Sequence, residues 1–215
     1  MNRAKSQSRM GVVLVALCFL LSNVPGVLAS EITDNLKTTI DDVIKIVSDE
    51  KYKNDKKTRR EKLQQVINKR FSYEQMSMRS LAQNWKKLTD EEKNEFVQVF
   101  SKLLENTYAN KLESYQDQKI NYVEEVIKGN YALVKTEIVK SDDNLEVSYK
   151  LIKLNGDWKV YDFVVEGVSL IKNYRSQFSK IIRKESYQAL IKKMTAKTNE
   201  LDSSADNSET QVDKL

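Results

Sequence analysis

WKVYDFVVEGVSLIKNYRSQF, Trp158 to Phe178, contains the change of period that decides the fold. Its first half alternates as a strand does. Trp158, Val160 and Val164 fall on one side, and Tyr161, Phe163 and Val165 on the other. A strand that is apolar on both faces must be covered on both. Gly167 interrupts it, and Leu170, Ile171, Tyr174, Phe178, Ile181 and Ile182 then recur at helical spacing.

Upstream, three more strands are expected at Lys119–Ile127, Tyr131–Lys140 and Leu145–Leu154. The links Lys128-Gly129-Asn130, Ser141–Asn144 and Asn155-Gly156-Asp157 carry turn chemistry. Links this short make neighbouring strands antiparallel, a four-stranded meander. Before the strands the pattern is helical. Ile32, Leu36, Ile40, Val43, Ile44 and Val47 form one stripe, and helices near Thr58–Asn68 and Phe71–Trp85 follow. Thr89 and Glu92 make a capping box that opens a long helix with Phe96, Phe100, Leu103, Leu104 and Tyr108. After the strands come a helix from Ser169 to Lys184 and a short one carrying Tyr187, Leu190, Ile191 and Met194. From Leu201 to Leu215 the chain is polar and reads as a disordered tail. Helices, a four-stranded antiparallel meander and helices again give an α+β architecture.

A secretory leader is expected at the start. Arg3, Lys5 and Arg9 precede the apolar run Met10–Leu21, and Val27-Leu28-Ala29 is a small-residue cleavage pattern, placing the cut after Ala29. The run is short for a membrane span. Cleavage removes Cys18, the single cysteine, so the mature chain has no thiol chemistry. It also removes three of 36 basic residues and no acidic one, leaving 33 against 31, a net charge of +2. So small an excess argues against a nucleic-acid partner. The chain has no histidine. That excludes the commonest proton shuttle and, with cysteine gone, the usual zinc and iron–sulfur ligands. No carboxylate spacing suggests a hydrolase or a Ca²⁺ site. No catalytic residue, metal or cofactor is expected.

A second stretch, FSYEQMSMRSLAQNWKKLTDEEKNEFVQVFSKLLENTYANKLESY, Phe71–Tyr115, joins aromatic and methionine residues to a W-x-x-L-T cap and an F-x-x-L-L-x-x-x-Y helix. With the Trp158–Phe178 stretch it resembles the MlaC family of periplasmic phospholipid-binding proteins, over about Ile32–Met194; Asp202–Lys214 looks like an extension of that pattern. The resemblance implies a monomeric periplasmic carrier with phospholipid as cargo, its meander sheet wrapped by helices around an apolar cavity. It would hand lipid between an outer-membrane lipoprotein–porin complex and an inner-membrane ABC transporter, maintaining outer-membrane asymmetry. Its cavity walls are expected at Val134, Ile138, Val147, Tyr149, Leu151, Phe163, Val165 and Val168, closed by Met76, Leu104 and Tyr108 from the helices. Each could equally be ordinary core. Lys172 and Arg175 stand where a phosphate could meet them, or on a solvated helix face. The same apolar groove would also suit a small-molecule enzyme, with Asp162 or Glu166 as base, or a peptide-binding adaptor.

Overall fold

The computed structural model describes residues 30–113, 118–140 and 143–210. The expected leader and its cleavage site lie outside these residues.

Each helix starts where a short polar side chain can take up a free amide. Ser30 accepts from the N–H of Ile32 and opens α1 (Glu31–Val47), and Asp55 caps α2 (Lys56–Arg70). Ser72 caps α3 (Tyr73–Leu81), which tightens into a 3₁₀ segment over Ala82–Lys87. The capping box forms as expected. The N–H of Thr89 donates to Glu92 at 2.9 Å and the N–H of Glu92 to Thr89 Oγ1 at 3.2 Å, ahead of α4 (Asp90–Glu113).

The strands are β1 (Ile120–Lys128), β2 (Tyr131–Ile138), β3 (Leu145–Leu154), β4 (Asp157–Val165) and β5 (Val168–Ser169). They form one antiparallel sheet in chain order. The meander therefore has five strands, not four. Glu166 and Gly167 both have positive φ, 48° and 74°, and turn the chain back onto β4. A two-residue hairpin of this kind matches the strand twist, so Gly167 reverses the strand rather than merely ending it. Then α5 (Leu170–Lys184) begins at the cap Ser169, and α6 (Tyr187–Thr210) follows.

Two further expectations change. The segment from Leu201 is helical as far as Thr210, with Leu201 packed on the helical core. Asp202 accepts from Asn106 Nδ2 at 2.7 Å and pairs with Lys102 at 3.2 Å. The alternation of β4 is also broken. Lys150 faces Asp162 and Leu151 faces Val160, so Tyr161 is one residue too many. This β-bulge puts Trp158, Val160, Phe163 and Val165 on one face, where a regular strand would divide them.

Two apolar cores result. The helical core gathers Met76, Leu81, Phe96, Phe100, Leu103, Leu104, Ile171, Phe178, Leu190 and Met194. Its centre is aromatic, with Phe96 and Phe100 each meeting Phe178 edge-on at ring distances of 5.8 and 5.3 Å. The sheet core packs Ile32 and Leu36 of α1 on Ala132, Val134, Leu151, Trp158 and Val160. Glu125 of β1 fixes α1 by accepting from Thr33 N–H at 3.1 Å and from the Ser30 hydroxyl.

Candidate functional site: the seam between the two cores

Cross-strand pairing shows which expected wall residues share a face. Val134 faces Tyr149, which faces Phe163; Val147 faces Val165; Ile138 and Leu151 belong to the same rows. Seven of the eight predicted sheet positions therefore lie together on the helix-covered face. The bulge at Tyr161 makes this possible, and the sequence does not announce it.

The eighth, Val168, departs from expectation. It stands in the two-residue strand β5 with 61 % of its surface exposed, so it lines no enclosed wall. Others prove to be packed core. Val134 and Leu151 are fully buried in the sheet core; Met76 and Leu104 are buried in the helical core, and Val147 is buried on the sheet. Ile138, Tyr149, Phe163, Val165 and Tyr108 are only half-buried.

These half-buried residues trace where the cores meet. Phe71 packs into both, its N–H donating to Ile67 O and the next amide, Ser72, donating to Val160 O at 2.9 Å. Tyr149 flanks the sheet core, while Phe163 and Tyr108 flank the helical core. Tyr108 and Phe163 meet edge-to-face with ring centres 5.6 Å apart. Burial pushes the Tyr149 phenol up to about 12, opposed in part by its hydrogen bond with Thr136. Burial likewise pushes Tyr108 up to about 12, with Tyr174 adding to the effect. The seam is therefore apolar in bulk with phenol groups along it, as suits long hydrocarbon with a polar end. Thr136, on the same face, was not singled out from sequence, and Trp158 was read as an apolar strand residue but not as part of the wall. Thr136 hides as a polar residue, its hydroxyl donating to Val147 O at 2.9 Å.

On the opposite face the second product of the bulge appears. Arg79, Lys150, Tyr161, Asp162, Lys172 and Arg175 surround a cleft of about 310 Å³. The Arg79 guanidinium lies 4.2 Å from the Tyr161 ring centre. The Arg175 Nε donates to the Arg79 carbonyl at 2.7 Å. Lys172 and Arg175, expected near a polar mouth, do come together here; Arg79, Lys150 and Tyr161 were not foreseen. Asp162 is 4 % exposed and accepts from Lys150 Nζ at 3.0 Å, Ser169 Oγ at 2.6 Å and Ile171 N–H at 3.0 Å. Every one of those partners holds structure, which fits an anchor better than a base. Glu166 accepts from the N–H of Glu146 at 2.9 Å beside the β4–β5 turn. Among the described residues no cluster of potential metal ligands occurs, and no helix is long and apolar enough to cross a membrane.

Comparison with known proteins agrees with this architecture. The "Intermembrane phospholipid transport system binding protein MlaC" of Haemophilus influenzae (strain Rd) is 31 % identical over 120 residues, 53 % of this chain. The aligned part spans 56 % of that relative. A phospholipid-binding protein from Ralstonia solanacearum, solved in complex with a phospholipid, superposes with a TM-score of 0.74 at 22 % identity, covering 80 % of this chain and 99 % of that one. The pattern described as "MlaC protein" matches residues 37–196, which include all five strands and the seam residues, and the chain belongs to the MlaC family.

Proposed function

We propose that this protein is a periplasmic phospholipid carrier, taking acyl chains into the seam between its sheet core and its helical core. The observation that carries the reading is the family match over residues 37–196. The common apolar face formed by Val134, Ile138, Val147, Tyr149, Leu151, Phe163 and Val165 supports it. A diacyl lipid in water exposes tens of CH₂ groups, each costing roughly 0.8 kcal/mol. Separating Tyr108 from Phe163 along the seam would expose apolar side chains, and acyl chains would cover them again. Empty and loaded forms would then both keep apolar surface from water, which permits uptake and release. The lipid would pass between an outer-membrane lipoprotein–porin complex and an inner-membrane ABC transporter. The protein would bring no catalytic residue and no cofactor to this work. The H. influenzae relative's transport-system name and the phospholipid in the R. solanacearum structure point the same way.

The test is the content of the purified protein. Expressed with its leader and extracted with organic solvent, it should yield close to one phospholipid per chain by mass spectrometry. A photo-crosslinking residue at Val165 should capture lipid in cells, and one at the exposed Val168 should capture little. Protein that emerges without lipid from several mild purifications, or that crosslinks only at Val168, would overturn the reading.

A further inference from the structure

We propose that the cleft on the outer face of the sheet is a binding site for a phosphate group, formed by Arg79, Lys150, Lys172 and Arg175 around the Tyr161 bulge. The residues come from four separate elements: Arg79 from α3, Lys150 from β3, Tyr161 and Asp162 from β4, Lys172 and Arg175 from α5. Four cations thus converge on one cleft that contains a single carboxylate.

That carboxylate is already used. Asp162 is bound by Lys150, Ser169 and the N–H of Ile171. Arg79 bonds to Gln75 and stacks on Tyr161; Arg175 bonds to a backbone carbonyl. Among the described residues neither arginine, nor Lys172, has a carboxylate partner. Nor does the helix relieve the imbalance, for α5 has five basic residues and no acidic one between Leu170 and Lys184. Like charges held together without a counter-ion repel one another, and a bound anion turns that cost into attraction.

The donors are side chains rather than the end of α5. The amide of Ile171 is taken by Asp162 and that of Lys172 by the Ser169 hydroxyl. Arg79 is held over Tyr161, so little of its freedom remains to be lost on binding. Planar guanidinium groups grip tetrahedral oxyanions through paired N–H donors, which favours phosphate over a halide. The phosphate could belong to a lipid head group or to a small free phosphate.

The inference stands on the cleft and not on the carrier reading. Lipid extraction tests the carrier, phosphate titration tests the cleft, and either can fail alone. Inorganic phosphate and sn-glycerol 3-phosphate should be titrated by calorimetry and by amide NMR. Both the protein as purified and the same protein stripped of lipid should be used, with chloride as control. Saturable shifts around Tyr161 and Lys172 are expected, with chloride inert. Binding only to the stripped form would identify the head group of the cargo as the occupant. Equal binding to both forms would identify a free phosphate. Lys172→Gln removes an exposed side chain and should weaken binding about three- to tenfold; adding Arg175→Gln should weaken it further. Lys193→Gln, in a separate cleft between α5 and α6, should have no effect. No saturable binding in either form, or equal loss in Lys193→Gln, would overturn the proposal.

Discussion

Asp162 shows how much one side chain decides. Read in sequence, it is a carboxylate inside an apolar strand and a candidate base. In the fold it joins three elements: β3 through Lys150, β5 through Ser169 and the start of α5 through Ile171. A buried carboxylate with all its donors in place is stable; the donors left behind when it is removed are not. Asp162→Ala is expected to lower folding stability by about 2–4 kcal/mol, reduced from the fully buried case because the Lys150 side chain is 35 % exposed. Asp162→Asn, which can still accept a bond, should lose less. Urea unfolding midpoints at constant slope measure both. A variant as stable as the parent would remove Asp162 from its anchoring role.

At the scale of elements, β4 and α6 differ most from their sequence patterns. In β4 one extra residue rotates half the strand, so Phe163 and Val165 join Trp158 and Val160 on the covered face. The same extra residue, Tyr161, becomes the floor on which Arg79 rests. In α6 the polar composition after Glu200 conceals two anchors, Leu201 on the helical core and Asp202 on α4. Truncation after Glu200 should therefore cost about 2 kcal/mol, combining partial burial of one leucine with one hydrogen bond. Truncation after Ser203 keeps both anchors and should cost less. Thermal unfolding of the two truncations decides the matter. Equal melting temperatures would mean that Leu201 and Asp202 contribute nothing.

Across the whole molecule the absence of histidine and the burial of tyrosines set the response to pH. With no histidine to titrate, stability should stay nearly flat between about pH 6 and 9. Above that range the tyrosines take over. Tyr149 and Tyr108 ionise at about 12 in the folded chain, against an ordinary value of 10; burial raises Tyr73, Tyr174 and Tyr187 as well. Below pH 10 these phenols are neutral in both states and their contribution is complete. As pH rises from 10 to 12 the unfolded chain ionises first, which draws the equilibrium toward unfolding. Stability should fall steeply in that window, with phenolate absorbance appearing as structure is lost. Denaturant midpoints from pH 6 to 12 check both halves. A marked step near pH 6.5, or full stability at pH 12, would contradict the assignment.

The sequence by itself determined the order and type of the main helices and the first four strands, because period, caps and turn residues are local signals. The Thr89–Glu92 box and the Asn155-Gly156 turn needed no distant partner to be legible. It also placed Val134, Ile138, Val147, Tyr149, Leu151, Phe163 and Val165 on the strands that form one apolar face. Only the tertiary structure decided the rest. Whether Met76, Leu104 and Leu151 are wall or core depends on what packs opposite them, and both uses demand the same residue types. The exposure of Val168 follows from a fifth strand only two residues long, below the length at which alternation can be read. The bulge at Tyr161 is a mismatch between two strands, so neither strand carries it alone. The basic cleft likewise joins cations up to 96 positions apart, a proximity that only folding creates.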